Sequence, residues 1–99
     1  MKKLVAVCAN ESSKLALEKA GLSLGYDVKA EIQENHIIKG EVSIKDIKEA
    51  IAVLFVIDGE VEEIENIERF IDCEYYEVET KFVISDATSV INEILIDLN

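Results

Sequence analysis

Four polar or nucleophilic side chains follow the first apolar run of the chain and are candidates for chemistry. They are Cys8, Asn10, Ser12 and Ser13. A thiolate is a strong nucleophile, and amide or hydroxyl groups at the start of a helix bind an anion together with the free backbone N–H groups there. The spacing therefore predicts a thiol beside an anion site. The alternative is that Cys8 is a small apolar residue inside a buried strand and that a polar neighbour only caps the helix.

A second group of candidates lies further along the chain. Gln33 precedes a polar segment, 34–42, that we predict to be a loop containing His36, and Asp58-Gly59 ends the longest apolar run. We predict that Gln33 contributes to the same anion site. His36 is interpreted as an exposed loop residue, with contact to a ligand as the alternative. Strand termination alone accounts for Asp58-Gly59.

The inventory of metal-ligating side chains is small. The chain has two cysteines, Cys8 and Cys73, and one histidine, and neither cysteine has a Cys or His neighbour at zinc-ligand spacing. We therefore expect no metal site and no cofactor. The two cysteines are expected at opposite ends of the sheet, so no redox pair is predicted.

Strand signals recur along the chain. Leu4 to Ala9 and Ile51 to Ile57 are continuous apolar runs, which are typical of strands covered on both faces. From Val28 to Gln33 apolar and polar residues alternate, which predicts a half-exposed edge strand. Tyr75 to Glu79 is predicted to be a fourth strand.

Helix signals lie between these strands. Asn10 or Ser12 can cap a first helix, and Ser43 can cap a short second one. A third helix is predicted from Glu60 to Phe70 and a last one from Asp86 to Leu98. The third helix is expected to bury its apolar face and to expose its glutamates; the apolar positions are Val61, Ile64, Ile67 and Ile71.

The alternation of strands and helices predicts the fold class. We expect a single α/β domain over residues 1–99, a three-layer doubly wound, Rossmann-like sheet of about four mainly parallel strands with helices on both faces. In such sheets ligands bind beyond the carboxyl ends of the central strands. Here that edge comprises 8–13, 33–36 and 58–59, so the candidate residues are expected to meet there.

The charge of the chain is strongly negative and unevenly spread. The formal net charge is -11, and ten acidic residues lie between Asp58 and Glu79 against one base, Arg69. This field repels phosphate backbones, so nucleic-acid binding is not predicted. The segment is interpreted as a solvated face, with docking of a basic partner as the alternative. No apolar stretch reaches roughly 18 residues and no secretory signal is recognisable, so we expect a cytoplasmic protein without membrane insertion.

Several segments resemble the fructose-type enzyme IIB of the bacterial sugar phosphotransferase system. They are KKLVAV at 2–7, LEKAG at 17–21, YDVKAEIQ at 26–33, SIKDIKEAIAVLFVID at 43–58, IERF at 67–70 and YEV at 76–78. The resemblance covers nearly the whole chain. It implies a domain that takes a phosphoryl group from a phosphohistidine of enzyme IIA onto a cysteine at the end of the first strand. It further implies transfer from that cysteine to a sugar held by the membrane component, enzyme IIC.

The chain departs from the family pattern at the phosphate loop. The family has Cys-Pro-Thr-Gly, followed a few residues later by His-Thr. In this chain the segment between the first strand and LEKAG is about seven residues shorter than in the family, which corresponds to about two helical turns. Aligned by the strand, the nucleophile position falls on Asn10. Aligned by the cysteine, it falls on Cys8, which Ala-Asn-Glu-Ser-Ser follows. Glu11 would repel a phosphate, and Glu34-Asn35 replaces the family's Gly-Ser.

Three hypotheses about function are open at this point. The first is a IIB-like regulatory or binding module with a degenerate site, in which phosphotransfer is lost or much reduced. The second is an active phosphocarrier that forms a phosphocysteine at Cys8. The third is an interaction protein that binds a basic partner through an acidic face containing Glu62, Glu63 and Glu65.

Overall fold

Five strands form one sheet. In the computed structural model, which describes residues 1–99, they are β1 (Lys2–Cys8), β2 (Tyr26–Glu34), β3 (Ile37–Lys39), β4 (Ala50–Val56) and β5 (Tyr75–Val78). Their order across the sheet is β3-β2-β1-β4-β5. Only β3 is antiparallel to its neighbour. The predicted α/β class and mainly parallel sheet are confirmed, with a fifth, short strand added at one edge.

Helices cover both faces of the sheet. They are α1 (Glu11–Ser23), α2 (Ile44–Glu49) and α3 (Thr80–Leu98), and two short 3₁₀ turns occupy Val61–Glu63 and Ile67–Phe70. α1 and α3 pack on one face, and α2 with the 3₁₀ turns packs on the other. The three-layer, doubly wound arrangement is thus confirmed. No helix is both long and apolar enough to cross a membrane.

The two continuous apolar runs form the centre of the sheet. β1 and β4 are neighbours, and their side chains point alternately to the two faces. Leu4, Ala6 and Cys8 join the core below α1 and α3, whereas Val5 and Val7 join the core below α2. Burial on both faces explains why neither run contains a polar residue.

The run of alternating apolar and polar residues from Val28 to Gln33 does not form the half-exposed edge strand that the sequence had predicted. β2 lies between β1 and β3, and Glu31, assigned by its alternation to the exposed set, is fully buried. The predicted loop 34–42 contains β3, which forms a hairpin with β2. Asn35 and His36 form the hairpin turn with positive φ values of 53° and 63°, the left-handed conformation that a two-residue hairpin turn requires.

The predicted third helix does not form. Asn66 has a positive φ of 54° and separates the two 3₁₀ turns, so the segment does not follow one helical path. Ile64 and Phe70 are buried, but Ile71 is 81% exposed. The predicted burial of Ile71 was therefore wrong.

The last helix begins earlier than predicted, and it is interrupted at Asp86, the residue at which we predicted its start. α3 begins at Thr80, and Asp86 has non-helical backbone angles within it. The Asp86 carboxylate accepts hydrogen bonds from the backbone N–H of Ser89 at 3.1 Å and from its hydroxyl at 2.8 Å. Asp86 therefore caps the second half of α3, which is the helix that the apolar periodicity predicted.

Candidate functional site

A cavity of about 360 Å³ lies at the carboxyl ends of β1, β2 and β4. Cys8 and Gln33 both contribute to its wall, as expected from the switch of strand order in a doubly wound sheet. The segment after β4 supplies the opposite wall. The lining residues are Val7, Cys8, Ala9, Gln33, Glu34, Asn35, His36, Ile57, Asp58, Gly59, Glu60, Glu63, Ile64 and Glu65.

The cavity is acidic. Five of its lining residues carry carboxylates, and none is a lysine or arginine. His36, with its side chain 86% exposed, is the one lining residue that can become a cation, and its Nδ1 lies 2.8 Å from a carboxylate oxygen of Glu65. The field in the cavity therefore disfavours a phosphate or any other anion.

Cys8 is a buried and neutral thiol. It is the last residue of β1, with an exposed fraction of 1%. Burial is the main cause that raises the pKa of the thiol to about 12; Glu18 and Glu31 add to the shift, and Lys14 opposes it. A nucleophilic cysteine needs a lowered pKa, so the surroundings of Cys8 act against thiolate formation.

Asn10, Ser12 and Ser13 lie at the start of α1 and outside the cavity lining. The Asn10 side chain caps the helix, because its Oδ1 accepts a hydrogen bond from the backbone N–H of Ser13 at 2.8 Å. Ser12 is exposed, and Ser13 is fully buried with no partner for its hydroxyl. The ligand-binding role of these three residues stays a prediction.

Gln33 is engaged with the protein itself. Its Nε2 donates to a carboxylate oxygen of Glu31 at 2.8 Å and to the backbone carbonyl of Glu65 at 3.0 Å, and its Oε1 accepts from the Glu65 N–H at 2.8 Å. The amide thus holds the segment after β4 against β2. Both N–H donors of the amide are occupied, so Gln33 could bind an anion only if part of this network broke. Its predicted role in binding stays a prediction.

Sequence reasoning missed the buried ion pair beside the cavity. Arg69 donates to both carboxylate oxygens of Glu31, at 2.8 and 2.9 Å, and the backbone N–H of Val42 donates to the same carboxylate at 3.0 Å. The Arg69 guanidinium, Gln33 and Val42 together lower the pKa of Glu31 against the desolvation that raises it. The position of Arg69 as the one base among ten acidic residues is the sequence signal that could have pointed to a specific carboxylate partner.

Asp58 has a structural contact that its position in the sequence did not reveal. Its Oδ1 accepts a hydrogen bond from the backbone N–H of Thr80, 22 residues further on, at 2.9 Å. The end of β4 is thereby tied to the start of α3. Cys73 is part-buried, whereas Cys8 is buried, and neither cysteine is in a disulfide.

The fold and the site define a class of protein. It is a Rossmann-like domain with a mainly parallel sheet, in which a cysteine ends the first strand at the ligand-binding edge and a helix follows. No family model matches the chain. The protein named PTS system fructose-like EIIB component 1 of Escherichia coli K12 is 32% identical, over 94% of this chain and 90% of its own length.

Solved structures give the same result. The enzyme IIB subunit of the PTS system from Escherichia coli K12 matches with a TM-score of 0.82 at 32% identity, covering 94% of this chain and 90% of that one. A predicted fructose-specific IIB from Escherichia coli matches with a TM-score of 0.83 at 25% identity, covering 100% of this chain and 91% of that one. The chain belongs to the fructose-type enzyme IIB family of the phosphotransferase system.

Proposed function

We propose that this IIB domain has lost most or all of its phosphotransfer activity and serves a cytoplasmic sugar phosphotransferase system as a regulatory or binding component. The observation that carries the proposal is the acidic cavity at the end of β1. It presents five carboxylates and no lysine or arginine. Enzyme IIA and the membrane enzyme IIC are the proposed partners, and no nucleic acid is involved.

The electrostatics of the cavity support the loss of phosphotransfer. A phosphoryl group on Cys8 would add roughly two negative charges beside this wall. The repulsion between two like unit charges 4 Å apart is about 1 kcal/mol in water and about 4 kcal/mol near a protein surface. Stabilising that group requires backbone N–H groups and cations arranged around it.

The state of the thiol supports the same conclusion. Transfer from a phosphohistidine needs a thiolate that attacks phosphorus, with histidine nitrogen as the leaving group. Burial raises the pKa of Cys8 to about 12, so the thiolate fraction at neutral pH is very small. The first step of the transfer is therefore disfavoured before the charge of the product is considered.

An active phosphocarrier at Cys8 is the second candidate. It is favoured by the position of Cys8 on the cavity wall and by the charge of Lys14, which opposes part of the rise in the thiol pKa. The N-terminus of α1, which begins at Glu11, adds a favourable dipole. In this case a conformational change would have to expose the thiol.

Intact mass after incubation with phosphoenolpyruvate, the general phosphotransfer proteins and a fructose-type enzyme IIA decides between the two candidates. We expect no gain of a phosphoryl group, while the Escherichia coli fructose-like EIIB component serves as the positive control. A gain that is lost in Cys8→Ser and kept in Cys73→Ser would establish the active carrier and overturn the proposal. A gain that Cys8→Ser retains would place the phosphoryl group on another residue.

A further inference from the structure

A second concave surface lies on the face of the sheet that carries α3. It is a groove of about 570 Å³ between β5 and α3, separate from the cavity that contains Cys8. Its floor contains the buried side chains of Leu54 and Ile94. The apolar walls are formed by Tyr76, Val78, Phe82 and Val90.

The groove is open because β5 is an edge strand that α3 only partly covers. No strand lies beyond β5 in the sheet, and α3 packs mainly against α1. Tyr76 and Val78 are consequently only part-buried, and Phe82 is 51% exposed. This edge of the sheet therefore offers apolar surface on which a further element can pack.

Carboxylates surround the apolar floor. Glu77, Asp86, Glu93 and Asp97 line the groove, and no lysine or arginine does. Two of them are held in place: Asp97 accepts a hydrogen bond from the Tyr76 hydroxyl at 2.6 Å, and Asp86 caps the second half of α3. Asp86 and Asp97 are 11 positions apart, which corresponds to about 16 Å along the helix axis, or about three turns.

We propose that this groove binds an amphipathic helix of a partner protein, with an apolar stripe on the groove floor and flanking lysines or arginines against the acidic rim. An apolar floor between fixed carboxylates complements that partner, which is a known way of recognising a helix. A second copy of this chain is a poor occupant, because each copy carries a net charge of -11. The inference rests on the binding role proposed above, but not on the chemistry of Cys8.

The probe is a synthetic peptide of about 18 residues of leucine and lysine, ordered to form an amphipathic helix. A peptide of the same composition in shuffled order is the control. For the helical peptide, we expect the amide chemical-shift changes of the ¹⁵N-labelled protein to be centred on β5, α3 and the neighbouring Leu54. We also expect binding to weaken steeply with added salt. The shuffled peptide should bind about tenfold more weakly, because it has no apolar stripe.

Matched variants separate the groove from the rest of the surface. Phe82→Ala should weaken binding about tenfold, whereas Ile84→Ala should leave it unchanged; both residues are 51% exposed, but only Phe82 lines the groove. Glu93→Gln should weaken binding about threefold at low salt, and Glu62→Gln, outside the groove, should have no effect. Retained chemical-shift dispersion shows that each variant is folded.

Three results would overturn the proposal. They are shift changes centred on residues 58–68, equal effects of Phe82→Ala and Ile84→Ala, and no binding at all. Concentration-dependent shifts of groove residues without peptide would instead identify a second copy as the occupant. The phosphorylation experiment on Cys8 is independent of these outcomes, so the failure of either proposal can be recognised separately.

Discussion

Arg69 and Glu31, 38 residues apart in the sequence, form a two-point ion pair at the carboxyl end of β2, with N–O distances of 2.8 and 2.9 Å. The Glu31 side chain is fully buried, and the Arg69 side chain is 9% exposed. The pair ties the second 3₁₀ turn to the sheet. Together with the Gln33–Glu65 hydrogen bonds, it fixes the wall of the cavity that carries the carboxylates.

Removing the arginine should destabilise the protein strongly. Arg69→Met leaves the Glu31 carboxylate buried without its cation, and we expect the free energy of unfolding to fall by about 3–5 kcal/mol. Urea denaturation measures this. Lys81→Met is the control, since the Lys81–Glu79 pair is 3.9 Å apart with the Lys81 side chain 70% exposed, and its removal should cost less than about 0.5 kcal/mol.

A double variant tests whether the buried charge causes that loss. Glu31→Met with Arg69→Met replaces both charges by apolar groups of similar size, so we expect it to recover part of the stability lost in Arg69→Met alone. Equal instability of the single and double variants would contradict this explanation and point instead to lost packing of Arg69 on Phe70, whose ring centroid lies 4.7 Å away.

The pH dependence of stability should contain a contribution from Glu31. Its pKa is lowered in the folded protein, so its stabilising effect is complete above the unfolded pKa of about 4.3 and is lost as pH falls through the lower, folded pKa. The difference in unfolding free energy between the wild type and Glu31→Gln should therefore be constant above about pH 5 and shrink below it. The other carboxyls with a lowered pKa, including Asp46 and Glu49, are common to both proteins. A difference that stays constant in acid would contradict the prediction.

The thiol of Cys8 should react slowly with alkylating reagents. In Cys73→Ser, where Cys8 is the remaining cysteine, we expect alkylation at neutral pH to be about a hundredfold slower than for an unstructured thiol and to become fast in denaturant. Mass spectrometry follows the rate. Cys8→Ser provides the comparison with Cys73, which is part-buried. Rapid alkylation of folded Cys8 would instead indicate an activated thiol.

Gly21 should be intolerant of a methyl group. In helix α1 a Gly→Ala change would normally add about 1 kcal/mol of stability. Here a Cβ atom would lie 2.3 Å from Cγ2 of Val28 and 3.4 Å from the carbonyl oxygen of Tyr26. We expect Gly21→Ala to lower the unfolding free energy by about 1–3 kcal/mol, because packing outweighs helix propensity.

Two controls define the cause of the Gly21 effect. Ser23→Ala, at an exposed position of the same helix, should change stability by less than about 0.5 kcal/mol. In a Val28→Ala background the cost of Gly21→Ala should fall, because the clashing Cγ2 is gone. A cost that is unchanged in that background would rule out the contact with Val28 as its origin.

The Gln33 amide should control local opening of the cavity wall. In Gln33→Ala the backbone N–H of Glu65 loses its acceptor, so we expect its hydrogen exchange to become about tenfold faster. Exchange in β1 and β4 should change far less. Glu34→Ala, at the neighbouring exposed position, is the control; unchanged protection of Glu65 in Gln33→Ala would show that another contact holds the segment.

Local patterns in the sequence were sufficient for the parallel core. The continuous apolar runs around Val5 and Val53 predicted strands covered on both faces, because burial on two faces requires an apolar side chain at every position. The caps at Asn10 and Ser43 were also predictable, since a cap depends on residues three apart. The carboxyl-edge location of Cys8 and Gln33 followed from the order of strands and helices.

Long-range pairing decided the rest. Glu31 was assigned to an exposed face because alternation along a strand does not reveal a partner 38 residues away, and only the folded chain brings Arg69 to it. The same holds for Asp58 and the N-terminus of α3. The sequence by itself determined the family, the sheet and the acidic charge; the tertiary structure decided that carboxylates line the cavity beside a buried, neutral Cys8. Burial and field at a site are sums over residues distant in the chain, and no local pattern contains them.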